Sequence, residues 1–404
     1  MENKKNNLYL KDVTLTGYKS IEDVQVEFDS GLNIIIGKNA AGKTNFLQFL
    51  NKSLLLDYSV LNNFKTRLTF QNGHEVILEN SRAIDIQELF KEKNKEANVV
   101  SKLYITKKLI KDIKGEETTI KEKLSQNGVI FSSSFICHGI PHDYLLIDKP
   151  LQFKVDAKEN HSFELFNLLG TASLPYFTKN FVINLILEIL DKSYQKNLTT
   201  TSIKKTLSKV FKFMEGLKVA LQRYSPIEDF RFSDNFNIYI SDNKEDYQVN
   251  NLSLEFKIAG NWLPFSSLSD GTKRLFYIIS EIYDIPNDEN IKPSNVGGYY
   301  GRHRLSRIVM IEEPELGIHP HQFHKLLAFL KESAKDMQII ITTHSPQSLD
   351  TINQDELHRI IIAYSTPESG TKLRHLNDAE LFKANEYIKD DFLSDYWLYS
   401  DLEE

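Results

Sequence analysis

Cysteine is almost missing from this chain. One residue, Cys137, stands among 404, which excludes an intramolecular disulfide framework and fits a reducing compartment. No stretch reaches the roughly 18 apolar residues of a membrane span. The longest apolar run, Phe181 to Leu190, is broken by Asn184 and Glu188 and predicts a buried helix. The opening Met-Glu-Asn-Lys-Lys-Asn-Asn has no apolar core of the kind a secretory signal requires. A cytoplasmic protein without a membrane partner is therefore expected. An excess of positive charge is also lacking. With 49 Lys and Arg against 55 Asp and Glu, the net charge is −6, which argues against coating nucleic acid by bulk electrostatics. A local basic patch remains compatible with it. Internal repeats and low-complexity linkers are absent as well.

What is present begins with composition. Apolar residues make up 41% and charged residues 26%, ordinary values for a globular protein, and the length can hold two or three subdomains. The most informative segment is Gly37-Lys38-Asn39-Ala40-Ala41-Gly42-Lys43-Thr44. It has the phosphate-cradling pattern of two glycines five residues apart followed by Lys and Thr. The apolar run Leu32-Asn-Ile-Ile-Ile36 before it predicts a buried parallel strand. After it, Phe46, Leu47, Leu50 and Leu54 recur at helical spacing. Strand, glycine loop and helix are what the chemistry needs, because loop N–H groups and a helix N-terminus then face one anion. Residues 37–45 are the candidate nucleotide site, with Asn45 closing it. Lys43 supplies a point charge for the outer phosphates, and the Thr44 hydroxyl suits Mg²⁺.

Along the chain, strands are expected at Leu8–Leu15 and Val24–Phe28, and Asn72-Gly73 between alternating apolar residues predicts a type I′ hairpin. A strand is expected near 102–106 and a strand and turn over 129–146. Residues 162–223 read as mostly helical. There Ile203, Leu207, Val210, Met214, Leu217 and Leu221 form a coiled-coil-like stripe, the mark of a packed helix pair or of a protruding arm. Strands return over 236–240 and 252–258. A βαβ unit then follows: Ile308–Ile311 as strand, Pro320 at a helix start with Phe323, Leu326, Leu327 and Leu330 on one face, and Gln338–Thr343 as the next strand.

Phosphoryl transfer is mainly positioning and charge stabilisation. A nucleotide hydrolase therefore needs acidic residues at a strand end beside the phosphate loop, and Ile311 leads directly into Glu312-Glu313-Pro314. Glu312 is the candidate Mg²⁺ holder with Thr44, and Glu313 the candidate base that orients or deprotonates water. His344, in Thr343-His344-Ser345, could bond a γ-phosphate. Leu268-Ser269-Asp270-Gly271 opens an apolar helix and by itself is a generic cap.

In their order along the chain, these segments resemble the ABC-type ATPases, and within them the SMC-like, RecF-like and OLD-like branch. The resemblance covers residues 8–58 and 252–350, and more loosely the stretch from there to the C-terminus. Leu268–Gly271 matches the family's LSGG signature in three of four places; Glu312–Glu315 matches the Walker B segment, with Glu where many members have Asp. His319-Pro320 matches the dipeptide beyond it and His344 the switch histidine, and Lys19 in Gly17-Tyr-Lys-Ser20 matches a basic position that reaches the nucleotide. The resemblance implies an α/β fold, a P-loop ATPase head with a mixed sheet, an antiparallel β subdomain and a helical insertion. It implies ATP and Mg²⁺ as ligands, with Lys43, Glu313 and His344 as catalytic residues. Two heads would pair, so that Ser269, Asp270 and Gly271 act in trans on the partner's nucleotide. The expected organisation is an N-terminal ATPase lobe over 1–160, a helical insertion over 161–225 and a C-terminal lobe over 226–404. One family feature lacks a counterpart: no Gln stands near Phe131–Phe135, where a metal-liganding glutamine is expected.

The expected role is ATP hydrolysis coupled to control of a separately encoded nuclease or toxin, as in prokaryotic anti-phage defence. The roughly 60 residues after His344 leave too little chain for a fused nuclease domain of ordinary size. The alternative is a RecF-like or SMC-like DNA-repair or clamp ATPase. A transporter subunit fits poorly, given more than 220 residues between phosphate loop and signature. A scaffold that binds ATP without useful turnover is a further reading. Weaker signals are Cys137-His138 with His142-Asp143, whose spacing matches no standard zinc site, and His321 and His324 as surface residues. The basic Arg302–Arg307 cluster could meet a phosphate backbone or be a solvated loop. The aromatic segment from Leu393 to Tyr399 could dock on its own domain or on a partner.

Overall fold

Leu32–Ile36 is buried at all five positions, Asn33 included. A strand with no exposed face must lie inside a sheet covered on both sides, and in the computed structural model this strand, β3, sits between two parallel neighbours. The structure describes residues 9–54, 64–71, 73, 75–81, 105–111, 117–119, 131–140, 151–156, 200–240, 246–283 and 306–400. Contacts divide the chain into two compact units. One comprises Met1–His138, Leu305–Glu315 and Leu330–Glu404; the other comprises Gly139–Arg304 and Leu316–Phe329.

The first unit is built on one mixed sheet. Its strands are β1 (Leu10–Tyr18), β2 (Ile21–Glu27), β3, β4 (Lys65–Phe70), β5 (Glu75–Ser81), β6 (Ile105–Lys111), β7 (Glu117–Thr119) and β8 (Phe131–Ile136). From the other end of the chain come β15 (Ser306–Glu312), β16 (Gln338–Thr343), β17 (Ile360–Thr366) and β18 (Gly370–His375). The order is β7-β6-β5-β4-β1-β2-β18-β17-β3-β16-β15-β8. From β17 to β8 every neighbouring pair is parallel. From β7 to β17 every pair is antiparallel. This is the α/β architecture expected, with an antiparallel subdomain beside a parallel P-loop core.

Helix α1 (Lys43–Leu54) buries Phe46, Leu47, Phe49 and Leu50 in the main apolar cluster, with Leu15, Phe64, Leu68, Met310 and Ile340. A buried polar side chain is stabilised when its groups are bonded, and Gln338 at the start of β16 is such a case. The Gln338 amide donates to the Leu10 and Asp29 carbonyls and accepts from the Leu10 N–H.

Strand ends differ from expectation where pairing decides them. β1 runs on to Tyr18 because it turns back at Lys19-Ser20, pairing Tyr18 with Ile21. The 68–78 hairpin forms, with Leu68 paired to Val76 and Thr69 to Glu75; Asn72, at its predicted turn, lies outside the described residues. The strand expected near 102–106 corresponds to β6 over Ile105–Lys111; residues 102–104 lie outside the described residues. The aromatic C-terminal segment docks on its own unit. In α6 (Leu393–Leu398), Leu393, Tyr396 and Trp397 are buried, and Ser394 donates from N and Oγ to the Asp350 carboxylate at 2.9 and 3.0 Å.

The second unit holds β9 (Leu151–Asp156), α2 (Thr200–Tyr224), β10 (Asp229–Phe232), β11 (Asn237–Ile240), β12 (Asp246–Leu252), β13 (Leu254–Ile258), β14 (Asn261–Pro264) and α3 (Asp270–Ile282). Two antiparallel sheets, β10-β13-β14 and β11-β12-β9, form here. The stripe on α2 packs inward at Met214, Leu217 and Leu221; its earlier side chains, and the rest of the helical region before residue 200, lie outside the described residues. Phe256 is the hub of an aromatic core, with ring centroids 4.8 Å from Phe276, 5.7 Å from Phe265 and 6.1 Å from Phe230. Phe265 stands just before α3 and Phe276 within it, so the cluster packs around the helix start. Helix α4 (Pro320–Ser333) starts at the expected proline, with Phe323, Leu326, Leu327 and Leu330 buried. Among the described residues no helix is long and apolar enough to cross a membrane.

Candidate functional site

Four adjacent parallel strands, β3, β16, β15 and β8, end on one edge of the sheet. Ligands of open α/β sheets gather outside such carboxyl ends. The four ends carry, in order, the 37–44 loop, Thr343-His344, Glu312-Glu313 and Cys137-His138.

The loop wraps around its own lysine. Lys43 is buried, and its ammonium donates to the Gly37 carbonyl at 2.6 Å and the Lys38 carbonyl at 2.9 Å. A buried cation requires such partners. Lys38, Asn39 and Ala40 form the exposed tip, while Gly37 and Ala41 are buried beneath it. Ala40 has φ +65°, left-handed backbone that a non-glycine residue adopts at a cost. Gly42 has φ +89°, and a Cβ there would stand 1.8 Å from Thr371 Oγ1. Only glycine satisfies both conditions. Thr371, at the start of β18, shares a 2.8 Å hydrogen bond with Ser20 Oγ, which accepts from Asn45 at 2.8 Å. Lys19 has φ +51° and donates to Gln48 on α1 at 2.9 Å.

The acidic strand end meets this loop. Thr44 Oγ1 donates to Glu312 Oε1 at 2.5 Å, across 268 residues of sequence. Glu312 is 2% exposed, and its other oxygen lies 3.1 Å from His138 Nδ1. Glu313 leaves the strand at φ +44°, which turns its side chain out of the strand's alternation. His344 Nδ1 stands 3.7 Å from Glu313 Oε1 and 3.3 Å from Glu315 Oε1. Glu315 Oε1 also accepts from Thr343 Oγ1 at 2.6 Å and from the His344 N–H at 3.0 Å. Its second oxygen is buried without a hydrogen-bond partner.

The signature segment belongs to the other unit. Ser269 caps α3, accepting from the Thr272 N–H and sharing a 2.8 Å bond with the Thr272 hydroxyl. Ser269 and Asp270 are exposed and Gly271 is buried. A Cβ on Gly271 would meet the Gly317 carbonyl at 2.5 Å, so backbone packing by itself demands glycine here. His319 sits just before α4, and its ring accepts from the His321 N–H.

Thus Lys43, Thr44 and Glu312 converge, as do Glu313 and His344. Three participants were not foreseen. Thr371 carries no local signal, although the Ile360-Ile361-Ile362 run does announce the strand before it. Glu315 reads as one more acidic residue of a turn. His138 reads as a loop histidine, and only the pairing of β8 with β15 brings it to Glu312. No group of three His, Cys, Asp or Glu able to hold a metal occurs among the described residues; His142 and Asp143 lie outside them.

A protein-family profile described as "AAA domain, putative AbiEii toxin, Type IV TA system" matches residues 137–350. It spans more than half of the chain. The chain belongs to this family. A second profile, described as an AAA ATPase domain, matches residues 8–166, so the two profiles together cover the segments that carry the motifs. Among curated proteins, the DNA replication and repair protein RecF of Streptococcus agalactiae is 49% identical over 41 residues, 10% of this chain and 11% of the relative. RecF of Geobacillus thermodenitrificans is 46% identical over a stretch of the same length. The match thus spans about a tenth of either relative. Among solved structures, an Smc head bound to the C-terminal winged-helix domain of ScpA has TM-score 0.49 at 14% identity, covering 92% of this chain and 99% of that one. The SMC head of Thermotoga maritima has TM-score 0.43 at 11% identity, covering 91% and 99%.

Proposed function

We propose that this chain is a Mg²⁺-dependent ATPase whose nucleotide cycle controls the conformation of a partner protein. The contact of Thr44 with Glu312 carries the reading. A hydroxyl and a buried carboxylate, both hard oxygen donors, meet beside a loop built for phosphates, which is the donor set Mg²⁺ accepts. The ion, when bound, neutralises charge on the β- and γ-phosphates. Loop N–H groups of residues 39–44 and the start of α1 bind the phosphates, and Lys43 exchanges its carbonyl partners for phosphate oxygens. Glu313 takes a proton from the attacking water, His344 holds the γ-phosphate, and Lys19 reaches the nucleotide from the β1–β2 turn. Glu315 orients His344. In a head-to-tail pair of chains, Ser269 and Gly271 address the partner's γ-phosphate, with the α3 N-terminus adding its dipole.

The partner is a separately encoded nuclease or toxin in anti-phage defence, in the cytoplasm. The family description, which names a toxin of a type IV toxin–antitoxin system, supports that direction. The second reading is a RecF-like or SMC-like ATPase acting on DNA; the short stretch shared with RecF favours it. Turnover stimulated by DNA in the absence of any other protein would select the second reading, and a co-purifying nuclease or toxin the first.

The decisive experiment compares Glu313→Gln with Lys43→Ala. Glu313→Gln should keep nucleotide affinity and lose at least about a hundredfold in turnover. Lys43→Ala should lose nucleotide binding in calorimetry. Undiminished turnover in Glu313→Gln would remove that residue from the mechanism, and full binding by Lys43→Ala would remove the loop.

A further inference from the structure

We infer that the last two helices of the chain form a docking surface for a cationic, amphipathic segment of a partner protein. The inference rests on the partner-controlling reading above and assigns the surface which that reading leaves open. Charge is the first observation. Residues 376–404 hold nine Asp and Glu against two Lys, a net charge of −7, whereas the whole chain carries −6. The net acidity of this protein is thus confined to its final stretch. Apolar exposure is the second observation. Among the described residues of the first unit, every exposed large apolar side chain belongs to the same stretch: Phe382, Phe392, Leu398 and Tyr399, between 64% and 82% exposed. Single exposed apolar residues are ordinary, but four within eighteen positions mark an interaction site.

The two properties meet on α5 (Asp378–Asp390). There Asp378, Phe382, Glu386 and Lys389 are exposed at spacings of four, four and three, which is one side of a helix. Phe382 therefore has a carboxylate one turn away in each direction. α6 packs against α5 through Tyr387 and Tyr396, whose ring centroids lie 5.1 Å apart. Tyr396 and Trp397 are buried, while Leu398 and Tyr399 remain outside. Where the two helices join lies a cavity of about 370 Å³. Ile352, Ile388 and Phe392 supply apolar wall, and Asp350 and Asp391 supply carboxylates. Lys389, which also lines the cavity, is paired with Glu386 at 2.6 Å. That combination suits a Lys or Arg side chain, which buries an aliphatic stem and keeps a charged head. Exposed rings beside carboxylates likewise favour a cation over their faces.

Charge also selects among occupants. Nucleic acid and anionic lipid are repelled by a −7 segment, and so is a second copy of the same face. A partner segment with Lys or Arg around apolar anchors satisfies both features at once.

The test uses the full chain without nucleotide and a fluorescein-labelled helical peptide of Lys and Leu in amphipathic order, read by fluorescence anisotropy. This peptide should bind, and should weaken at least about tenfold as salt rises from about 0.05 M to about 0.5 M. A peptide with Glu in place of Lys, and one with Ser in place of Leu, should each bind at least about tenfold more weakly. Phe382→Ser combined with Phe392→Ser should lose about tenfold in affinity while ATP turnover stays at the wild-type level. Tyr239→Ser, at an exposed position of the second unit, should lose nothing. Glu386→Lys combined with Asp391→Lys should reverse the preference toward the Glu peptide. All five substituted positions are exposed, so the fold does not depend on them. Equal binding of the Ser peptide, undiminished binding by the Phe382→Ser and Phe392→Ser chain, or binding to phosphatidylserine vesicles instead overturns the inference and leaves the ATPase reading intact. A wild-type chain that takes up the peptide but binds no ATP overturns the ATPase reading and leaves the docking surface standing.

Discussion

At the scale of single residues, the site is defined by a few positions where geometry leaves no choice. Gly42 is the clearest. Its φ of +89° and the 1.8 Å approach of Thr371 to a Cβ act in the same direction. Gly42→Ala should therefore cost about 1–3 kcal/mol from backbone strain before the clash is counted. It should also displace the loop, so that urea unfolding shows a lowered midpoint and calorimetry a loss of nucleotide affinity. A variant with both unchanged would mean that β18 does not constrain the loop. Ala40 and Glu313 are a different case: they adopt left-handed backbone without being glycine. Both flank the place where phosphate and water would meet, which is where stored strain tends to concentrate.

At the scale of elements, the C-terminal hairpin and helix show how a distal segment is locked down. α5 (Asp378–Asp390) opens with a reciprocal capping box. Asn377 Oδ1 accepts from the Ala379 and Glu380 N–H groups, and Glu380 accepts from the Asn377 N–H. Arg374, from β18, adds two hydrogen bonds to the same Glu380 carboxylate at 2.7 and 2.9 Å. Burial pushes this carboxyl up, but the Arg374 and Asn377 bonds and the Arg374 charge outweigh it and hold it below its ordinary 4.5. A carboxyl depressed in the folded state stabilises fully above its unfolded value, and the contribution is lost as pH falls through the folded value. Glu380→Gln should cost about 1–2 kcal/mol near neutrality. Denaturant midpoints of variant and wild type should converge as pH falls through the depressed folded value, below which both side chains are neutral. A gap that stays constant with pH would show that charge is not what Glu380 contributes.

At the scale of the whole molecule, the proposed function requires two chains. Ser269 and Asp270 are exposed on a rigid helix start in the second unit, and the phosphate loop is in the first. If each site draws on both copies, Lys43→Ala and Ser269→Arg chains, each inactive alone, should regain part of the turnover when mixed. ATP should also raise the mass of Glu313→Gln toward a dimer in light scattering. No regained turnover, together with a monomeric mass in saturating ATP, would show that one chain works alone.

The glycine loop, its apolar strand and its amphipathic helix were all legible in the sequence, because each is encoded by residues within a few positions of one another. The same is true of the acidic strand end, the Pro320 helix start and the Ser269 cap. Strand order is not local. It depends on which apolar faces cover one another once the whole sheet closes, and hydrophobic periodicity has no access to that. Only the tertiary structure placed β8 beside β15, and so His138 against Glu312. It likewise set β18 on the antiparallel half of the sheet, with Thr371 under Gly42, and Glu315 beneath His344. Local pattern determined which pieces this protein has; packing between segments up to 351 residues apart determined which of them touch.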